Sequence, residues 1–349
     1  MVASLIEGKT GDSLEAGKQR FYSATQRRAL TDKYESELLD RLKPLKEGNG
    51  NFLIVIGGGQ LCGKTVVKHL LTDALAGAGV GEDNLLIVTN DIFKKLLPEY
   101  EALKNIPDDV RAQLLKRFPE EAITRAQEAA YPFIRQEADN AKLSLIKKAH
   151  ERGIPILVDD QMTNLSLYRH VAQTLPDYLK VVVAPHITPE TMFDRGPRRA
   201  GRRFLPEEFL HHHKSFEKFI DRYEKQYDIV VRLDNNVHNS KGEMPRLMAL
   251  TVDGDKQIFD EVSYEEARRK RDINIHAKDV AEVYAGGRGH AGAAGRTAGS
   301  LGESHTQGRG RGQENQLGAE TLNPDVAGAI KSFAESLRAK DREPASNKR

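Results

Sequence analysis

A phosphate-binding motif, G-x-x-x-x-G-K-[ST], lies at residues 58–65, between an apolar run and a helical pattern. The apolar run at 52–56 predicts a buried strand, and residues 66–78 predict a helix. In that context the motif predicts a P-loop, whose backbone N–H groups and following helix N-terminus bind nucleotide phosphates. A glycine turn with a structural function is the alternative. The predicted ATP-binding residues are Gly58, Gly59, Gln60, Leu61, Cys62, Gly63, Lys64 and Thr65.

Two of these residues have more specific expected functions. In a P-loop the lysine reaches the β- and γ-phosphates, and the hydroxyl of the next residue binds Mg²⁺. We therefore expect Lys64 to contact the phosphates and Thr65 to be a metal ligand. ATP and Mg²⁺ are the expected substrate and cofactor.

Short apolar runs alternate with helical patterns along the middle of the chain, which is typical of an α/β fold with a parallel sheet. We predict a five-stranded, mainly parallel sheet flanked by helices, with a separate small β-hairpin at 246–261. The predicted strands are 52–56, 85–88, 154–158, 179–185 and 228–233.

Changes in composition divide the chain into five segments. Residues 1–50 predict an N-terminal helical extension, which either packs on the sheet or covers the nucleotide site. Residues 51–262 predict the P-loop core, and 263–285 a C-terminal helix. Residues 286–323 are rich in glycine and predict a disordered linker. Residues 324–349 predict a short amphipathic helix and tail.

Composition excludes several classes of partner and compartment. With 53 basic and 51 acidic residues the net charge is +2, and no basic groove studded with aromatic residues is visible, which disfavours nucleic acid. No run approaches the roughly 18 apolar residues of a spanning helix, so no membrane partner is expected. The single cysteine suits a reducing compartment, and a cytoplasmic location is expected.

Acidic residues follow the second and third predicted strands, where a P-loop sheet places its active site. Asp91 is predicted to accept the proton of a substrate hydroxyl, or alternatively to cap the helix that starts at Ile92. Asp159 is favoured as the functional acid that binds Mg²⁺ or orients the acceptor, and Asp160 as its solvated neighbour. The other predicted substrate-binding residues are Lys94, Gln161 and Thr163; Lys94 either borders the acceptor site or faces water.

Five arginines lie within residues 195–203. Guanidinium groups bind phosphate oxygens through paired hydrogen bonds, so this segment predicts a lid over the γ-phosphate. A solvated basic loop is the alternative. The next segment carries three consecutive histidines, His211, His212 and His213, which predict a solvated helix face.

Together these elements resemble the zeta toxin family of P-loop kinases from about Phe52 to Asn236. The resemblance rests on GGGQLCGKT, on TNDIFKKLLPEY after the second strand, on VDD after the third, and on GRRFLPEEF. It implies an ATP-dependent kinase that phosphorylates a sugar hydroxyl of UDP-N-acetylglucosamine, and a toxin that an antitoxin protein restrains. The catalytic residues that it implies are Asp91 as base, Lys64, Arg195 and Arg203, with Arg202 at the ATP and Asp159 in place of a substrate-binding glutamate.

The residues after the third strand depart from the family pattern. The family usually has E-G-T-x-R at this point, whereas this chain has D-D-Q-M-T at 159–163. From the resemblance we expect the acceptor to be a nucleotide-containing small molecule, either UDP-N-acetylglucosamine or a related compound. A dinucleotide such as NAD, a polynucleotide end, and ATP hydrolysis coupled to a partner remain alternatives.

Overall fold

The computed structural model describes residues 23–45, 51–89, 92, 105–128, 130–160, 175, 177–198, 204–236, 244–285, 328 and 330–333. The strands in this part of the chain are β1 (Phe52–Ile56), β2 (Leu86–Thr89), β3 (Ile156–Asp159), β4 (Leu179–His186), β5 (Ile229–Asp234), β6 (Arg246–Val252) and β7 (Asp255–Ile258). The α-helices are α1 (Ala24–Tyr34), α2 (Lys64–Gly77), α3 (Asp108–Leu115), α4 (Glu120–Glu128), α5 (Ala130–Glu151), α6 (Pro189–Arg198), α7 (Pro206–Tyr223), α8 (Glu261–Arg269) and α9 (Val280–Val283).

The described strands form one sheet in the order β2-β3-β1-β4-β5-β6-β7. The pairs from β2 to β5 are parallel, and β6 and β7 are antiparallel. The α/β class is confirmed, but the prediction of five strands is wrong, because the hairpin predicted as separate continues the sheet beyond β5. Leu247 and Met248 of β6 are buried, which explains why the hairpin joins the sheet.

Both faces of the sheet are covered. In β1, Leu53 and Val55 belong to a core cluster that includes residues of α5 and α7, whereas Ile54 and Ile56 belong to a second cluster with α2. A strand whose alternate residues enter two cores has no polar side, as is usual for parallel sheets.

The strand register shows which edge of the sheet carries the candidate site. Ile56 at the end of β1 is opposite Asp159 of β3, and Thr89 at the end of β2 is opposite the same Asp159. The carboxyl ends of three adjacent strands therefore meet at one edge, and the residues that follow β1 form the P-loop.

The segment before the sheet packs into the core. Tyr34 and Leu39 are fully buried among residues of the sheet and α5. Glu35 lies in the π-helical turn that follows α1. It forms ion pairs with Lys148 in the last turn of α5 and with Arg152 just after that helix. Far along the chain, Ile330 and Phe333 are also buried, against the second core cluster.

The segment after the sheet folds differently from the expectation. The continuous helix predicted for 263–285 is interrupted after α8 by a 3₁₀ turn (Lys270–Asp272) and a loop before α9. Ile273 and Ala277 in this interruption are buried against Phe209 of α7, so burying them competes with continuing the helix.

No helix in the described residues is both long and apolar enough to cross a membrane.

Candidate active site

The P-loop follows β1 and leads directly into α2, as the sequence predicts. Gly63 has φ +86°, and a Cβ atom there would lie 1.9 Å from Nδ2 of Asn235. Only glycine fits a position that combines this backbone conformation with so close a neighbour. The Asn235 amide in turn donates to the carbonyl oxygen of Cys62 at 2.8 Å.

Lys64 folds back over its own loop. Its Nζ donates to the carbonyl oxygens of Gly58 at 3.1 Å and Gly59 at 2.9 Å. Thr65 is exposed in the first turn of α2, where its hydroxyl is available to a ligand. The ammonium group and the helix N-terminus thus share the position at which a P-loop binds phosphate.

The loop also rests on α7. Nε2 of His213 lies 2.9 Å from the carbonyl oxygen of Gln60, and the Gln60 side chain contacts Glu208 and Nδ1 of His212, each at 2.9 Å. The solvated face predicted for 211–213 is therefore wrong for His212 and His213, which are buried, and only His211 is exposed.

Helical spacing contains a signal for this burial. His213 lies four residues after Phe209 and three before Phe216, so all three share one helix face. Both phenylalanines are buried. Consecutive residues of a helix point in different directions, so His211 can be exposed while His213 is buried.

Asp159 ends β3 at the edge where the P-loop begins. Its Oδ2 lies 3.6 Å from Nζ of Lys68, one turn beyond Lys64 on α2. Burial raises the pKa of Asp159 above its ordinary value, although the positive charges of Lys64 and Lys68 act in the opposite direction. A partly desolvated carboxylate beside two ammonium groups is a candidate functional residue.

Asp160 has a different environment from the one predicted. Its carboxylate is buried and lies 2.7 Å from Nζ of Lys142 on α5, which also pairs with Asp139 at 2.8 Å. Burial lowers the pKa of Lys142, but the two carboxylates more than offset this and raise it. The prediction that Asp160 is a solvated neighbour is wrong, because this ion pair places its side chain in the core.

Arg195 reaches the P-loop from α6. Its guanidinium donates to the carbonyl oxygen of Asn235 at 3.0 Å and makes a longer contact of 3.4 Å with that of Leu61. Burial lowers the pKa of Arg195. The ordinary pKa of an arginine is so high that the group still stays charged. The predicted arginine-rich loop is helical as far as Arg198, which is exposed and pairs with Asp194.

Several predicted site residues lie outside the described part of the chain: Asp91, Lys94, Gln161, Thr163, Arg202 and Arg203. Thr89, two residues before Asp91, accepts a hydrogen bond from the backbone N–H of Ile92 through its hydroxyl at 3.3 Å.

The donor set fits Mg²⁺. Thr65 and Asp159 offer hydroxyl and carboxylate oxygens, the ligand type that Mg²⁺ prefers. Within the described ranges no three His, Cys, Asp or Glu side chains cluster as a protein-only metal site.

Comparison with known proteins gives one family. The zeta toxin family model matches residues 35–243, and no curated protein gives a significant sequence match.

Solved structures with a similar arrangement include one from the PezAT chromosomal toxin–antitoxin system of Streptococcus pneumoniae. That chain is 15% identical, the match covers 65% of this chain and 85% of the other, and the TM-score is 0.42. The AvrRxo1-ORF1:-ORF2 complex in its native form is 14% identical, with 73% and 75% covered and a TM-score of 0.46. The same complex with ATP is 15% identical, with 70% and 72% covered and a TM-score of 0.45.

Proposed function

Because the chain belongs to the zeta toxin family, we propose that this ATP-dependent kinase transfers the γ-phosphate to a sugar hydroxyl of a nucleotide-containing small molecule. The observation that carries the proposal is the convergence of Lys64 and Arg195 on the P-loop, beside a carboxylate at the end of β3. Two fixed cations at a phosphate-binding loop stabilise the charge that develops on a transferred phosphoryl group.

Each residue has a proposed part in the reaction. The acceptor oxygen attacks the γ-phosphorus, the bond to ADP breaks, and the hydroxyl proton passes to Asp91, which the family motif identifies as the base. Lys64, Arg195 and Arg203 stabilise the phosphoryl oxygens, and Arg202 contacts the ATP. Thr65 and Asp159 would hold Mg²⁺, which would supply positive charge beside the nucleotide phosphates. The sequence also predicts substrate binding by Lys94, Asp160, Gln161 and Thr163. Because Asp160 is buried, Asp159 is the better candidate of the two acids.

The acceptor is either UDP-N-acetylglucosamine or a related nucleotide. Asp159 is one methylene shorter than the glutamate that the family pattern has at this position, so its carboxylate reaches less far from the backbone. An NAD-like dinucleotide and a polynucleotide end are the alternative acceptors.

Labelled ATP distinguishes these alternatives. The full-length protein is incubated with Mg²⁺ and with separate pools of nucleotide sugars, dinucleotides and oligonucleotides, and Lys64→Ala serves as the matched inactive control. Label in the nucleotide-sugar pool, absent from the control, supports the proposal. Label that appears only as free phosphate favours an ATPase and contradicts it.

A protein antitoxin is the proposed partner. Expression of the wild type is expected to inhibit growth, and Lys64→Ala or Asp91→Ala to relieve the inhibition at equal protein level. Equal toxicity of all three proteins would show that phosphoryl transfer is not the cause of the toxicity.

A further inference from the structure

Two buried residues, His213 and Lys270, lie directly behind the P-loop. His213 belongs to α7 and Lys270 begins the 3₁₀ turn after α8. Their relative exposures are 5% and 4%. A Cβ atom on Gly59 would lie 2.4 Å from the His213 ring, so the ring fits closely against the loop backbone.

The hydrogen bonds define one direction for the contact. The Gln60 carbonyl, 2.9 Å from Nε2 of His213, can only accept, so Nε2 carries the proton. Nδ1 of a neutral ring then has a free lone pair, and Nζ of Lys270 lies 3.2 Å from it. Lys270 therefore donates to His213, which donates to the P-loop.

Lys270 lies outside residues 35–243, the part of the chain that the family model matches. We propose that Lys270 is a positioning residue, which acts through His213 to fix the P-loop backbone at Gln60 and so supports binding of MgATP. This inference rests on the proposed function, because it assumes that the loop binds a nucleotide.

The surroundings of Lys270 show why a charged group there is costly. Burial lowers its pKa to about 8, although Glu217 raises it. Glu217 forms an ion pair with Arg232, and in the described residues the Lys270 ammonium bonds to the His213 imidazole. The titratable groups around it are Glu217 and His213 of α7, Arg232 of β5, His186 of β4, Cys62 of the P-loop and Glu266 of α8.

A matched pair of lysine variants tests the inference. Lys214 on α7 donates to the carbonyl oxygen of Ile273 at 2.8 Å, so it contacts the same C-terminal segment without touching the P-loop. In the full-length protein, Lys270→Met is expected to weaken MgATP binding about tenfold, and Lys214→Met less than twofold. Affinity is measured by calorimetry and folding by thermal melting.

The pH dependence adds a measurement that a purely structural function would not change. Burial, and next the charge of Lys270, lowers the pKa of His213 well below its ordinary value of 6.5, so the ring is neutral from that pH upwards. The affinity ratio of wild type to Lys270→Met is expected to stay constant from pH 6.5 to about 7.5. This ratio should fall towards 1 as pH rises through about 8, where Lys270 loses its charge and becomes a weaker hydrogen-bond donor to His213.

Two variants of His213 keep the test decisive if Lys270→Met does not fold. His213→Gln retains an N–H donor for the Gln60 carbonyl and should keep affinity within about threefold, whereas His213→Leu should lose about tenfold. Equal affinities of the two His213 variants, or of the two lysine variants, would overturn the inference. If the wild type itself does not bind MgATP, the proposed function fails instead.

Discussion

Asp159 and Asp160 are consecutive in the chain, yet their carboxylates lie in different environments. Oδ2 of Asp159 is 3.6 Å from Lys68 at the edge of the sheet that carries the P-loop. Oδ2 of Asp160 is 2.7 Å from Lys142 in the core. Because successive side chains along a strand point to opposite faces, one carboxylate lies at the site and the next lies in the core.

Asp160→Asn is expected to reduce stability. The substitution removes one of two carboxylates that neutralise the buried Lys142 ammonium. Breaking a buried pair costs about 3–5 kcal/mol, and the loss is expected at the lower end because Asp139 remains. Denaturant unfolding measures the loss. A variant as stable as the wild type but inactive would contradict this structural function and favour the predicted substrate contact.

Asp159→Asn is expected to have the opposite effects. Burial raises the pKa of Asp159 despite two nearby lysines, so its charge opposes folding. The amide should therefore increase stability, by less than about 1 kcal/mol, and reduce phosphoryl transfer at least tenfold. Asp159→Glu keeps the charge and should keep transfer within a few-fold. An Asn variant with full transfer activity would show that the reaction does not need this carboxylate.

Gly59→Ala is expected to disrupt the P-loop. Its Cβ would lie 2.4 Å from the ring of His213, which must move and lose its contact with Gln60, at a cost of about 1–3 kcal/mol. Gly81→Ala is the control, because no atom lies within 4 Å of a Cβ there. Melting temperature and MgATP affinity are measured for both, and equal effects would count against the tight packing.

The stability of the protein is expected to depend on Lys270 with a definite sign. Its pKa falls from an ordinary 10.5 to about 8 on folding. Between these values the unfolded chain binds more protons, so stability rises with pH. Below pH 8 the buried charge of Lys270 lowers the free energy of unfolding by its full amount, which is about 3 kcal/mol at most from the size of the pKa shift.

Lys270→Met removes this penalty. The variant should be more stable than the wild type at pH 7, and the difference should shrink from pH 8 to 10.5. Urea unfolding at pH 7 and pH 9.5 tests the change, with Lys214→Met as control. A stability difference that does not change with pH would show that Lys270 is not buried in charged form.

What the sequence predicts well is local. The P-loop, its strand and its helix are contiguous, and the apolar runs that form β1, β3, β4 and β5 need no knowledge of distant partners. The position of Arg195 near the phosphate site also follows from its place after a strand, although the helix that carries it was not predicted.

What the sequence does not reveal depends on pairs that are far apart in the chain. Gln60 and His213 are 153 residues apart, and His213 and Lys270 are 57 apart. Lys142 and Asp160 neutralise each other across 18 residues, and neither residue type alone predicts burial. The hairpin was predicted locally, but its attachment to β5 is set by the tertiary fold.

The hairpin of β6 and β7 at the end of the sheet has a consequence for solubility. β7 ends the sheet with four exposed residues, among them Asp255 and Lys256, and short charged edges resist pairing with other molecules. Without β6 and β7, the fully buried β5 would present its open backbone to solvent. A protein shortened to the family-matched region is thus expected to aggregate through edge-to-edge pairing, even though its phosphate-binding loop is complete.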